Sequence, residues 1–382
     1  MNLVFLNNKQ RISKPKLIPF HLIYSVSFSC HQHFNKTEPT RSSSYADHNT
    51  NNNEDKSSED KLHLCKSKGQ HLLTNPRILD TIVTKSAVKC TDTVLEIGPG
   101  TGNLTLRLLQ AARKVVAVEI DKRMVEILNR RVSEHGFQEK LDVVREDALK
   151  VKFPEFDIVV ANIPYGISSP LVTKLVYGVN KYRSLTLLLQ KEFARRLLAK
   201  PGDSEYNRLA VNVKLVADVE FVMNVSKRDF VPCPKVDSSV VIIRPKNSDD
   251  VPDVNFDEWK AFTRTCFSNK NKTLGAIFKQ KKKVMELERL SMIKGCNSEK
   301  EINTDDKDDD NEESDGEDSH IISCSEMKLS SYKKMIIGVL ESNGFEGKRP
   351  TKMSNEELLK LLSLFNQAGV YFHGQASESK VD

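Results

Sequence analysis

Apolar residues recur along the middle of this 382-residue chain in two alternating rhythms. Short runs of apolar and β-branched residues at 93–97, 114–119, 141–145 and 156–161 read as buried strands, because a parallel strand covered on both faces loses polar alternation. Between them the spacing lengthens. Ile78, Leu79, Ile82 and Val83 follow an Asn75-Pro76 start at helical intervals, and 104–112 and 124–132 do the same, so each segment predicts a helix. Strand and helix in turn predict an α/β domain with a mostly parallel sheet. An amphipathic helix is expected over 190–200, and three β-rich runs at 211–216, 219–225 and 240–244 are expected to complete the sheet with an antiparallel hairpin. Past a polar linker at 247–253 the pattern turns helical, with Trp259, Phe262, Cys266 and Phe267 at helix spacing. The stretch 270–283 then reads as a basic helix, 331–342 as renewed order, and a closing helix starts at Ser354 with Glu357 at the capping-box position.

Composition changes this picture at both ends. Residues 1 to about 45 carry Lys9, Arg11, Lys14, Lys16, Lys36 and Arg41 against the single acid Glu38, the make-up of a mitochondrial presequence, with a plastid one or a plain basic tail as alternatives. Residues 46–60 are too polar to order themselves and read as a linker, so 1–60 is set apart from a catalytic domain at 61–246 and a helical domain at 247–382. Within the latter, 297–322 is acidic and of low complexity, hence an expected disordered insert. The formal charge of +6 includes that block; the remainder is strongly basic, which suits a polyanionic partner as well as an ordinary solvated surface. No apolar run approaches the roughly 18–20 residues of a membrane helix, so no membrane is expected among the partners. Seven cysteines without a C-x-x-C pair argue for reduced thiols and against a disulfide scaffold; no metal is expected.

The candidate chemistry begins at Leu95-Glu-Ile-Gly-Pro-Gly-Thr-Gly-Asn103, where a strand turns sharply into a helix. Gly98, Gly100 and Gly102 let the backbone approach a ligand, and the turn resembles the cofactor loop of class I methyltransferases, which bind S-adenosylmethionine. A dinucleotide fingerprint wants a glycine where Asn103 stands. Glu119 ends the second strand about twenty positions beyond Gly98, where a carboxylate accepts hydrogen bonds from ribose hydroxyls. Asp147, just past the third strand, suits the adenine amine, with a helix-capping role as its alternative. The fourth strand delivers Asn162-Ile-Pro-Tyr165 at its carboxyl end. An aromatic amine is a poor nucleophile because its lone pair is delocalised. The Asn162 side chain and a main-chain carbonyl near Ile163 or Pro164 offer two acceptors for its hydrogens, and Tyr165 a ring on which the base stacks.

Together with Gly69-Gln-His-Leu-Leu73, Gln190-Lys-Glu-Phe-Ala-Arg-Arg-Leu-Leu-Ala-Lys-Pro-Gly202 and Phe230-Val-Pro-Cys-Pro-Lys-Val236, these motifs resemble the ribosomal RNA small-subunit adenine dimethyltransferases, the eukaryotic branch more than the bacterial. The resemblance implies a class I, Rossmann-like, S-adenosylmethionine-dependent methyltransferase domain with a small C-terminal helical domain. It implies cofactor binding by His71, Leu73, Gly98, Gly100, Glu119, Asp147 and Asn162, and a flipped adenosine near Asn162, Pro164 and Tyr165 with the Phe230 ring on its other face. Its expected product is two adjacent dimethylated adenosines near the end of small-subunit ribosomal RNA, made by a monomer on the pre-ribosomal particle. Cys233 stands where many members have proline. A fold kept for ribosome assembly or organellar transcription without the chemistry is the alternative. Protein-glutamine methyltransferases, whose loop reads Asn-Pro-Pro-Tyr, fit less well. The N-terminus points to the mitochondrion, whereas the eukaryotic-type C-terminus suits a nucleolar enzyme equally.

Overall fold

The computed structural model describes residues 70–299 and 318–373. The expected presequence and linker, and most of the acidic insert, lie outside the described residues. In chain order the elements are β1 (Leu72–Leu73), α1 (Pro76–Ser86), β2 (Thr93–Ile97), α2 (Asn103–Ala111), β3 (Lys114–Val118), α3 (Lys122–Glu134), β4 (Leu141–Val144), β5 (Ile158–Asn162), α4 (Ser168–Val176) and β6 (Ser184–Gln190). There follow α5 (Lys191–Leu198), α6 (Arg208–Val216), β7 (Ala217–Val225), β8 (Phe230–Val231), β9 (Ser238–Pro245), α7 (Phe256–Cys266), α8 (Leu274–Phe278), α9 (Lys281–Glu299), α10 (Asp318–Ser342) and α11 (Asn355–Gln367).

Seven strands form one sheet in the order β4-β3-β2-β5-β6-β9-β7. The first five run parallel, and β9 pairs antiparallel with both β6 and β7. Alternation along each strand feeds two cores. Leu95, Ile97, Val159 and Ala161 pack with helix residues such as Leu171, Leu175 and Leu197 on one face. Val94, Val115, Ile158 and Val160 meet Leu79, Leu104, Leu108 and Leu128 on the other. From β2 the chain winds outward through β3 and β4, then returns to β5 on β2's opposite flank. The carboxyl ends of β2 and β5 therefore lie side by side at the switch point, where open α/β sheets bind ligands.

The run 211–216, expected as a strand, is helical within α6. The Asn207 side chain accepts from the Leu209 and Ala210 N–H groups and starts the helix, and packing on both sides overrides the β preference of its valines. Val213 joins the sheet core, while Ala210, Val211 and Leu215 join a second cluster built around Trp259, Phe262, Phe278 and Phe365. One helix thus ties the C-terminal helices to the sheet.

The basic stretch 270–283 is likewise not a single helix. The Thr273 hydroxyl caps α8, whose Leu274, Ile277 and Phe278 are fully buried, and the chain breaks before α9. Lys270, Lys272, Lys279, Lys281 and Lys282 remain exposed. The closing helix α11 carries the expected box, with Glu357 N–H donating to the Ser354 hydroxyl and Ser354 N–H to the Glu357 carboxylate. Replacing Asn207 by Ala is expected to lower the free energy of unfolding by about 1 kcal/mol, read by urea denaturation, with most of that loss avoided in Asn207→Asp.

Candidate active site

A cavity of about 310 Å³ opens at the switch point between the ends of β2 and β5, within the roughly 300–1,000 Å³ of small-molecule pockets. Its floor is the glycine turn. Gly98 and Gly100 have φ of 68° and 57°, the left-handed region where a Cβ is penalised. A Cβ on Gly100 would also stand 2.7 Å from Leu72 Cδ2, and one on Gly98 3.3 Å from Pro164 Cδ. The turn is thus closed on by β1 from one side and by the 162–165 motif from the other.

Glu119 follows β3 and is only 9% exposed. Its carboxylate accepts the Asp121 N–H at 2.9 Å and the Gly100 N–H at 3.3 Å, which fixes it against the glycine turn. Burial raises its pKa against the pull of those bonds. Asp121 caps α3, pairs with Arg123 at 2.7 Å and accepts the Gln70 amide at 2.9 Å; the Arg123 contact foremost holds its pKa well below the usual range. Asp147 lines the wall in a tight turn whose Leu149 N–H its own side chain accepts at 2.9 Å. No helix follows it, so the capping alternative becomes a turn closure.

At the other wall the Asn162 Nδ2 donates to the His71 carbonyl at 3.2 Å, which leaves Oδ1 as the accepting end. The His71 ring bonds the Pro232 carbonyl through Nδ1 at 2.7 Å and stacks on Tyr165, centroids 6.0 Å apart at 25°. Leu73 is a largely buried part of the wall, and its carbonyl accepts from the Asn103 amide at 2.9 Å. The structure therefore brings His71, Leu73, Gly98, Gly100, Glu119, Asp147, Asn162, Pro164 and Tyr165 to one cavity. Phe230 is set apart. It is 2% exposed in the core beside Leu73, Leu188 and Val240 and is not in the cavity wall, because its strand β8 pairs with β1 and turns the ring inward.

Several wall residues escaped the sequence reading, Glu146 among them. Ile120 is 64% exposed yet lines the cavity, an apolar plate beside Glu119; an isoleucine directly after the strand-end acid is its signal. Asp121, two positions past Glu119, both caps α3 and lines the cavity. Glu96 is hidden inside the turn motif itself, an acid in an otherwise apolar strand. It is 2% exposed, and its Oε2 has no hydrogen-bond partner among the described residues. Burial foremost, with the Glu119 charge acting the same way, pushes its pKa up to about 8.

The charge of the cavity tests which ligand fits. Glu119, Asp121, Glu146 and Asp147 line it beside the protonated Glu96, and among the described residues no lysine or arginine does. A pyrophosphate would meet like charge there, whereas the sulfonium and ammonium of S-adenosylmethionine meet a negative wall. Fold and cavity together define a class I S-adenosylmethionine-dependent methyltransferase. A family model described as ribosomal RNA adenine dimethylase matches residues 62–315, and the chain belongs to that family. It is 65% identical to an Arabidopsis thaliana protein named ribosomal RNA small subunit methyltransferase, mitochondrial, over 84% of this chain and 83% of the relative. A second A. thaliana protein, named ribosomal RNA small subunit methyltransferase, is 46% identical over 80% of this chain and 92% of its own length. The crystal structure of a dimethyladenosine transferase from Plasmodium falciparum superposes with a TM-score of 0.66 at 41% identity, covering 79% of this chain and 99% of that one. The enzyme is accordingly an rRNA adenine dimethyltransferase that uses S-adenosylmethionine.

Between pH 4.5 and about 8 the folded chain holds a proton on Glu96 that the unfolded chain has lost, so this residue lowers stability as pH rises through that window. Glu96→Gln should raise the Tm above the parent at pH 8, with the gain shrinking toward pH 4.5. A scan of Tm against pH checks it, and parallel curves would contradict the buried-acid assignment.

Proposed function

We propose that this enzyme dimethylates the exocyclic amines of two adjacent adenosines near the end of small-subunit ribosomal RNA, as a monomer on the mitochondrial pre-ribosomal particle. The observation that carries the reading is the Asn162 amide held by His71 with Oδ1 as its accepting end, over a turn built for the methyl donor. Bound S-adenosylmethionine supplies an electrophilic methyl on a positively charged sulfur.

The chain's part is positioning. Oδ1 of Asn162 takes one amine hydrogen. The Pro164 carbonyl accepts the Ile167 N–H at 3.1 Å, which makes the Ile163 carbonyl the better candidate for the other. With both hydrogens held, the nitrogen lone pair points into the cavity. Tyr165 offers its ring to the base, with its phenol kept neutral by burial, and stacking of this kind is worth about 1–3 kcal/mol per base. No strong base is needed, since the amine becomes acidic once alkylated and the proton leaves to water afterwards. Glu119 and Asp147 serve the ribose hydroxyls and adenine amine of the cofactor, and His71 and Leu73 shape its methionine end.

For RNA, α5 presents Arg195 and Arg196 outward over a buried Ala194 and Leu197, and the exposed lysines flanking α8 extend the cationic surface. Such contacts hold phosphates without reading sequence. The mitochondrial assignment is supported by the higher identity to the relative with that compartment in its name, 65% against 46%, and by the basic N-terminal composition. Asn162→Ala or Tyr165→Ala is expected to abolish transfer to a small-subunit RNA while cofactor affinity stays within about tenfold, roughly 1.4 kcal/mol, by calorimetry. Full activity in either variant would sink the amine-holding role.

A further inference from the structure

The aromatic platform is anchored from outside its own motif. The Tyr165 phenol lies 2.7 Å from the Ser238 hydroxyl, and Ser238 is fully buried. Ser238 opens β9, opposite Gln190 of β6 and Val225 of β7, so three strands fix its backbone. The residue before it is pinned as well. The Asp237 carbonyl accepts the Lys191 N–H at 3.0 Å where α5 begins, and its carboxylate accepts the Lys227 N–H at 3.0 Å. On the motif side Tyr165 begins a single short turn, closed by Ser168 bonding its carbonyl at 3.1 Å, and its ring stacks on His71. A stack restrains tilt but leaves sliding in the plane open. A hydrogen bond at the far end of the ring removes that freedom.

We propose that Ser238 is the positioning residue that fixes the Tyr165 ring for the acceptor base, so that the antiparallel end of the sheet sets the geometry of methyl transfer. This rests on the adenine-dimethyltransferase reading and adds a residue that touches neither cofactor nor base. It also explains a structural economy. The same β9 start that anchors the platform receives the first N–H of α5, so the platform and the cationic helix share one rigid support.

The test is a double-mutant cycle on the full chain with Ser238→Ala, Tyr165→Phe and the two combined, each assayed on small-subunit RNA at saturating cofactor. Ser238→Ala and Tyr165→Phe should each lower kcat by about ten- to a hundredfold, as misplacement of a reacting group by about an ångström does. The pair should be no slower than either alone, and cofactor Kd by calorimetry should stay within about twofold of the parent. A merely structural Ser238 would move Tm and cofactor affinity together and would add its loss to that of Tyr165→Phe. Parental kcat in Ser238→Ala, or multiplying losses in the double variant, overturns the proposal. If Ser238→Ala does not fold, Tyr165→Phe removes the same hydrogen bond from the half-buried side, and parental kcat there overturns it equally. A parent chain that transfers no methyl to the RNA would instead sink the functional reading, and this inference with it.

Discussion

The structure depends on the register between β2 and β5. Val94 lies opposite Ile158 and Leu95 opposite Val159, so the two strands end together and the glycine turn faces Asn162 across a few ångströms. A slip of one residue would reverse every side chain on β5, sending Val160 and Ala161 to the wrong cores. Chemistry and folding thus draw on one constraint. The apolar runs that hold the register are the same ones that set the glycine turn beside the 162–165 motif, where a Cβ on Gly98 would stand only 3.3 Å from Pro164 Cδ.

Around that junction the protein places charge by purpose. Inside, carboxylates line the cavity and, among the described residues, no lysine or arginine does, which favours a cationic cofactor over a phosphate ligand. Outside, α5 and the segment flanking α8 turn their cations outward over buried apolar faces. In the proposed reaction a polyanionic substrate is held on such a surface by its backbone, while the base enters the negative site. The cost of the acidic interior falls on Glu96 and Glu119, both pushed toward their protonated forms by burial.

Much of this was legible in the residues. The strand over 93–97 appears with those bounds, α1 starts at its Asn75-Pro76 signal, and the Ser354–Glu357 box caps α11, because each is a local pattern whose physical cause lies within a few residues. What failed had a non-local cause. The valines of 211–216 are strand formers by intrinsic preference, and only the two cores meeting there make them a helix. Phe230 looked like a stacking ring, yet pairing of β8 with a two-residue strand more than 150 positions earlier turns it inward. Glu96 was in view throughout but counted as part of a motif, since an acid's burial cannot be seen without its neighbours. Ser238 gave no signal at all; a serine at a strand start acquires its partner only when the sheet is assembled.

The family fixes adenine dimethylation of ribosomal RNA, and the proposed function has this chain serve the mitochondrial small subunit. The most direct test maps N6-dimethyladenosine in organellar and cytosolic small-subunit RNA from cells lacking the protein. Loss of the adjacent pair from the mitochondrial RNA alone is the expected result; loss confined to the cytosolic RNA, or none in either, would contradict it.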